Sequence, residues 1–429
     1  MSINVIGAGL AGCEAAFKIA SLGQKVKLYE MKPKKFSLAH KSENFSELVC
    51  SNSFKAERLD SAAGLLKQEM KLLWSLLVDC AFKTKVPAGG ALAVDRDKFS
   101  ELVTSRIKSN ELIEVIEGEV EDIPSDDITI IATGPLTSDA FAKKISDMCG
   151  GFLSFFDAAA PIVEFNSIDM DNAFFASRYD KGNDAAYINC PMDKEEYEIF
   201  FEELVKAKRA PIHDFDVADP KVYEGCMPIE VMAKRGIDTL RYGPLKPVGF
   251  DDPRTAKRPY ALVQLRQDDK QAELYNLVGF QTNLKFGEQK RVFSMIPGLK
   301  EAEFIKYGVM HRNTYIDSPK LLDETYNLKK HENVYFAGQI TGVEGYVESI
   351  SSGLVAGMNA VNKLKMEEKI TFSEYTVIGA LAKYISTENK KFQPMNANFG
   401  ILPQLEGKKI KDKKERYELM AKRSLENIV

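Results

Sequence analysis

Three glycines at positions 7, 9 and 12, written Gly7-Ala8-Gly9-Leu10-Ala11-Gly12, follow a short apolar run over 3–6 and lead into a helical pattern over 13–22 that stops at Gly23. A turn of this kind lets a pyrophosphate approach the backbone closely, and the helix N-terminus behind it supplies partial positive charge. Residues 25–29 alternate as a strand and end in Glu30, about 20 positions after the glycines, where an acidic side chain bonds a ribose hydroxyl. Strand, turn, helix and strand together predict a dinucleotide site. They do not separate a nicotinamide from a flavin dinucleotide.

The six cysteines, at 13, 50, 80, 149, 190 and 226, contain no C-x-x-C pair and are accompanied by four histidines, so no zinc or dithiol centre is expected. Cys50 lies in a polar loop ahead of Ser51-Asn52-Ser53-Phe54-Lys55. Cys226 precedes Met227-Pro228-Ile229-Glu230, where Pro228 suits a first helical position and Gly236 a stop. Helix N-termini favour thiolate, so both are candidates for reactive thiols. Cys13 and Cys80, on helical patterns, read as inert buried groups. The polar run 311–315, with His311 and Arg312, suits either an anionic substrate group or a turn cap. Tyr346 suits either stacking on a planar ring or ordinary packing. The extended polar and aromatic loop 392–400 suits bases, a pterin or a clamp between domains.

The elements that must position these groups follow a βα rhythm. An amphipathic helix is predicted over 60–78, with Leu65, Leu66, Leu73, Trp74 and Leu77 on its core face, then a strand over 91–94 and a helix over 97–107. A buried strand over 128–132 ends in Thr133-Gly134. From 152 the rhythm is lost: strand-like 162–165, a turn at Cys190-Pro191 and a helix over 195–208 suggest an insertion. It resumes with a buried strand over 333–337, the loop Gly338-Gln339-Ile340-Thr341-Gly342-Val343-Glu344-Gly345-Tyr346, and a helix over 349–361. The small residues of that helix would allow close approach to a large flat ligand.

The expected fold is therefore α/β. A discontinuous Rossmann-like domain (1–155 and 321–429, the latter ending in a basic tail) would carry an inserted α+β domain on the substrate side (156–320). This two-part layout favours FAD over NAD as resident cofactor.

At 429 residues, with 45% hydrophobic and 28% charged, the composition excludes disordered, collagenous and coiled-coil classes. No apolar run reaches about 18 residues, and the N-terminus shows neither a basic region nor a cleavage site, so a cytoplasmic location is expected. Net charge is −4, yet 231–260 holds seven Lys and Arg against three Asp, and 404–429 holds eight against five acidic residues. Binding a polyanion requires these segments to form one surface, and they are expected to do so.

The strings Gly7-x-Gly9-x-x-Gly12-Cys13-Glu14-Ala15-Ala16, Glu47-Leu48-Val49-Cys50-Ser51-Asn52-Ser53, Pro87-Ala88-Gly89-Gly90-Ala91-Leu92-Ala93-Val94-Asp95-Arg96, Glu224-Gly225-Cys226-Met227-Pro228-Ile229-Glu230 and Gly338 through Tyr346 closely resemble the TrmFO family of GidA-related flavoproteins, in order and over essentially the whole chain. The resemblance implies transfer of a methylene from 5,10-methylenetetrahydrofolate to C5 of uridine 54 in the tRNA T-loop. Reduced FAD, regenerated by NAD(P)H, would supply reducing equivalents, with flavin N5 as the methylene carrier. It implies Cys226 as nucleophile, Cys50 as the second functional thiol and candidate base, and Gly7 to Gly12, Glu30, Gly338, Gln339 and Tyr346 around the cofactor. Tyr346 and Arg312 are weaker carry-overs, to ring stacking and to anion binding, and Lys409 in the basic tail is a candidate RNA contact. Three alternatives remain open: the same chemistry on a 23S ribosomal RNA uridine, a GidA-like wobble modifier, which would normally continue into a large helical domain, and a non-catalytic flavin-containing protein that binds RNA or a partner.

Overall fold

Residues Ile3–Ile6 and Ile128–Ile131 are buried at every position, which is the pattern of parallel strands covered on both faces. They form the centre of a six-stranded sheet whose order is Asn327–Leu328, His331–Phe336, Ile128–Ile131, Ile3–Ile6, Val26–Glu30 and Ile113–Glu117. Five strands are parallel, and the sixth closes one edge as an antiparallel hairpin. The structure is a computed structural model and describes residues 2–37, 39–124, 127–151, 153–177, 187–210, 227–389, 392–407 and 410–428.

A second six-stranded sheet is antiparallel throughout, in the order Phe174–Ala176, Tyr187–Met192, Ala261–Gln267, Leu274–Leu277, Ile162–Glu164 and Phe304–Lys306. It has its own core, including Val163, Phe200, Ile229, Leu265, Phe280 and Phe293. The helix Lys194–Lys206 covers it and starts at a reciprocal cap between Asp193 and Glu196. The chain leaves the first sheet along Leu153–Ala158 and returns along Met310–Tyr315, which pair as an antiparallel ribbon.

Three expectations are corrected. The helix predicted over 60–78 is two helices, Ala62–Leu72 and Leu76–Lys83. Trp74 adopts φ 60° between them and is 81% exposed, not core, while Ser75 caps the second helix. Cys190-Pro191 is no turn, because both residues lie within the strand Tyr187–Met192. The neighbouring strand Phe174–Ala176 pairs only as far as Asn189, so Pro191 meets no ladder partner there and its missing N–H costs nothing on that side.

The third correction concerns the small-residue helix, which spans Tyr346–Lys365. Its glycines serve helix packing rather than a flat ligand. A Cβ on Gly353 would lie 2.2 Å from the Ala11 carbonyl oxygen, and one on Gly357 2.9 Å from that of Ala15, so the helix rests on the backbone of Leu10–Ser21.

Candidate functional site

Gly7 has φ +101°, and a Cβ there would come within 2.7 Å of the Ala132 carbonyl oxygen. A Cβ on Gly12 would lie 1.8 Å from the Gly7 carbonyl oxygen, so this glycine is what lets the turn close onto its own helix. Gly9 differs from both. A Cβ there would meet nothing within 4 Å, and Gly9 caps the helix Leu10–Ser21 with no side-chain hydrogen bond to its amides. The helix N-terminus therefore opens onto a cleft at the C-terminal ends of the parallel strands.

The cleft is open to solvent and is lined by Gly7 through Ala11, Glu30, Thr133, Gly338, Gln339, Tyr346 and Ser349. Glu30 is buried, with one carboxylate oxygen accepting the Ala8 N–H at 2.8 Å and the other the Lys32 N–H at 3.0 Å. A carboxylate has about four acceptor sites, so capacity for a hydroxyl remains. Gly338, at φ +85°, donates its N–H to Ser352 Oγ, and Gln339 Nε2 donates to Glu344.

The loop 392–400 acts as a clamp on the second glycine loop. The Phe392 ring fills the space beside Gly342, Met395 exchanges backbone hydrogen bonds with Gly342 and Glu344, and the Ala397 N–H donates to Glu348.

Cys50 stands at the rim of this cleft, next to the lining residue Val49, in a loop held from four directions. The Tyr346 hydroxyl accepts the N–H groups of Cys50 and Ser51 at 3.0 and 3.1 Å, and its ring tilts against Phe54 at 5.7 Å. Burial pushes the Tyr346 phenol up, so it stays neutral. Arg96 Nη1 donates to the Leu48 carbonyl, and its remaining donors grip Asp268, with Nε 3.0 Å from Oδ2 and Nη2 3.1 Å from Oδ1. Burial works against the Arg96 charge, but the Asp268 carboxylate together with the neighbouring Tyr346 and Cys50 side chains holds the guanidinium above its usual range. Arg266 donates to Asn52 Oδ1 and Ser51 Oγ, and Asn52 Nδ2 donates to Val94 and Gln267 carbonyls. Lys306 Nζ reaches the Val49 carbonyl at 3.4 Å.

The Cys50 thiol is half-buried, with Sγ 4.0 Å from the Ala158 carbonyl. Burial pushes Cys13, Cys80 and Cys190 up to about 12 and Cys149 to about 11, which leaves them as thiols at neutral pH.

Cys226 and Lys409 lie outside the described residues. Arg312 belongs to the ribbon, with its backbone opposite Phe156. The basic segments belong to different cores: 231–260 packs through Leu240 and Leu245 with the second sheet, and the tail helix Lys413–Glu426 packs through Met420 and Ala421 with the first. Some of their charge is engaged locally, Arg254 by Asp252 and Arg241 by Asp238 and the Tyr260 ring. Among the described residues no group of three or more His, Cys, Asp or Glu could hold a metal ion, and no helix is long and apolar enough to cross a membrane.

The sequence reading missed Arg96, Arg266 and Asp268. Arg96 ends a string noted for family likeness, but its partner lies 172 positions away.

The family model "Glucose inhibited division protein A" (GIDA) matches residues 2–368. A protein of Acetivibrio thermocellus named methylenetetrahydrofolate--tRNA-(uracil-5-)-methyltransferase TrmFO is 62% identical over 99% of this chain and 97% of its own. One of the same name from Streptococcus uberis is 58% identical over 99% of this chain and 98% of its own. Among solved structures, GidA of Aquifex aeolicus superposes with a TM-score of 0.70 at 16% identity, over 100% of this chain and 74% of that one, a likeness of fold. The glycine cleft, the two-sheet architecture and near full-length identity place this chain in the GidA family and, within it, among the TrmFO proteins.

Proposed function

We propose that this chain is a flavin-dependent methyltransferase that uses 5,10-methylenetetrahydrofolate to form 5-methyluridine in tRNA, at T-loop position 54, with NAD(P)H as reductant. The observation that carries this reading is the placement of the Cys50 loop, fastened through Tyr346 to the rim of a dinucleotide cleft, in a chain 62% identical to a protein of that name. We read 1–155 and 321–429 as the nucleotide-binding domain and 156–320 as the domain on the substrate side. The cytoplasm is the expected location.

The residues present fit FAD. Open space at Gly9, an uncapped helix N-terminus and spare acceptor capacity on Glu30 suit a pyrophosphate and a ribose. Gly7 through Gly12, Gly338 and Gln339 would hold it, with Tyr346 beside its ring system. When bound and reduced, FAD supplies the electrons that turn the transferred methylene into a methyl.

Uracil C5 is a poor nucleophile. Addition of the Cys226 thiolate at C6 gives an enolate whose C5 attacks an electrophilic methylene carbon. Cys50 then takes the C5 proton and the enolate expels the carrier nitrogen, leaving an exocyclic methylene on a uracil still bonded to Cys226. A hydride equivalent, which reduced FAD would supply, converts that methylene to methyl and regenerates the enolate, which expels the Cys226 thiolate as the C5–C6 double bond re-forms. Arg312 is assigned to an anionic group of the substrate and Lys409 to RNA phosphate.

The test is incubation of the purified protein with unmodified tRNA, 5,10-methylenetetrahydrofolate and NADPH, followed by mass spectrometry of the nucleosides. The expected result is 5-methyluridine that disappears in Cys226→Ala. Product on 23S ribosomal RNA alone would move the same chemistry to that substrate, and a flavin-bearing protein inactive on both would be a binding module.

A further inference from the structure

A ladder of aromatic rings runs from the second core to the surface beside the Cys50 loop. Phe280 meets Phe293 edge-on at 5.1 Å, Phe293 leads to Phe304 at 6.4 Å, and Phe304 stacks on Tyr307 at 5.6 Å with only 7° between planes. Tyr307 in turn stacks on Phe286 at 5.0 Å and 17°. Among the described residues Phe286 ends the ladder, at 55% exposure. One of its faces is covered by Tyr307, so the open area falls largely on the other face and the edge.

The Cys50 loop and the described residues that flank the Cys226 segment are tied to this place. On the Cys50 side, Lys306, the residue before Tyr307, donates to the Val49 carbonyl. On the Cys226 side, Ala210 and Ile229 donate backbone N–H groups to Asn283 and Gln281, and Arg209 bridges to Leu284. Glu230 accepts the Thr282 hydroxyl and the Asn283 N–H. The partners of Arg209, Ala210, Ile229 and Glu230 all fall within the five residues before Phe286. Exposed cations lie in the adjoining segments, Lys285 directly before Phe286, Lys290 one turn after it, and Lys208 and Arg209 on the stretch whose Lys208 carbonyl accepts the Lys285 N–H, while Glu288 in the same turn is paired with Arg291.

A protein surface that stacks aromatic rings in a column and exposes the last of them, with exposed lysines and an arginine in the adjoining segments, matches the chemistry of a single-stranded nucleic acid. Bases stack on aromatic faces without regard to sequence, and phosphates pair with flanking cations. We propose that Phe286, backed by Tyr307, is a stacking platform for a nucleotide flanking the target uridine of the RNA substrate. The target base must leave its stack to be modified, and a neighbour held on Phe286 would keep the loop splayed. This inference rests on the RNA-modifying reading above.

The test measures binding of an unmodified tRNA transcript at fixed salt by wild type, Phe286→Ala, Phe286→Leu and Phe286→Trp. Flavin absorbance per protein, Cys50 labelling by iodoacetamide and self-association are recorded alongside. The expected result is an affinity roughly 5- to 150-fold weaker for Phe286→Ala, the range of one lost base stack. Phe286→Leu would not rescue it and Phe286→Trp would, with flavin content and labelling unchanged. Equal affinity in Phe286→Ala, or full rescue by Phe286→Leu, overturns the platform. A change in self-association with unchanged RNA affinity assigns the face to a second copy of the chain and also overturns it. If wild type neither binds nor methylates tRNA, the proposed function itself fails, a result separable from loss of the platform alone.

Discussion

The hydroxyl of Tyr346 accepts the backbone N–H of Cys50 at 3.0 Å, across 296 positions of sequence. The first residue of the helix Tyr346–Lys365 thus fixes the loop that carries the half-buried Cys50 thiol. A ring free to stack on a ligand and a hydroxyl anchored to a loop impose different demands, and the hydroxyl of Tyr346 is spent on the loop.

Phe at position 346 keeps the ring and removes the acceptor. Two amides then lose their partner, at a cost of about 1–3 kcal/mol where water cannot replace it. The expected outcome for Tyr346→Phe is retained flavin, an altered rate of Cys50 alkylation and methylation at least tenfold slower. Wild-type alkylation and turnover would show that the hydroxyl has no hold on the loop.

Arg96 and Asp268 form the ion pair beneath the same loop, at 13% and 5% side-chain exposure. Removing one member of so buried a pair leaves a charge without compensation, a loss of roughly 3–5 kcal/mol. Arg96→Met should therefore destabilise more than the double variant Arg96→Met, Asp268→Leu. Urea unfolding of the two singles and the double closes the cycle, and strictly additive effects would show that the pair is not coupled.

What the sequence made legible was local. Gly7 and Gly12 are needed within one turn of chain, and Glu30 closes the next strand, so their spacing alone announces the cleft. The Cys50 anchors were illegible because Tyr346, Arg96, Arg266 and Lys306 converge from four separate parts of the chain. Each is an ordinary residue in its own segment. Trp74 misled for a different reason: its apolar character fits the helical stripe, while the left-handed backbone that breaks the helix there leaves no glycine to mark it. In Gly353 and Gly357 small size was read correctly but given the wrong neighbour, since a helix backbone and a flat ligand demand the same absence of side chain.

Glu14 supplies a pH dependence. Its carboxyl, buried beneath the second of the two broken helices, accepts the Leu77 N–H at 3.0 Å, and burial pushes it up to about 7 despite that bond. In the unfolded chain it titrates near its ordinary value of 4.5. The folded state thus holds a proton that the unfolded state gives up between these values. Its contribution is present in full below about pH 4.5 and declines as pH rises to about 7, by at most about 3 kcal/mol. Glu14→Gln cannot ionise, so its stability should change less than wild type between pH 5 and 7.5. Parallel curves from urea unfolding would place the Glu14 ionisation elsewhere.

The last prediction separates the glycines that build the cleft from the one that leaves room in it. Gly9 sits at φ −77° and ψ −170°, a conformation any residue adopts, and a methyl there meets no protein atom within 4 Å. Gly12 has no such freedom, because its methyl would lie 1.8 Å from the Gly7 carbonyl oxygen. Gly9→Ala should therefore unfold at the same temperature as flavin-free wild type yet purify with less flavin, since the methyl takes the space a pyrophosphate needs beside the helix amides. Gly12→Ala should lose stability before any ligand is added, because the turn must open to admit the methyl. Thermal unfolding of flavin-free protein, read beside the flavin absorbance of freshly purified protein, distinguishes the two. If Gly9→Ala retained wild-type flavin content, the helix N-terminus would not be the phosphate site, and the cleft would have to hold its dinucleotide in another orientation.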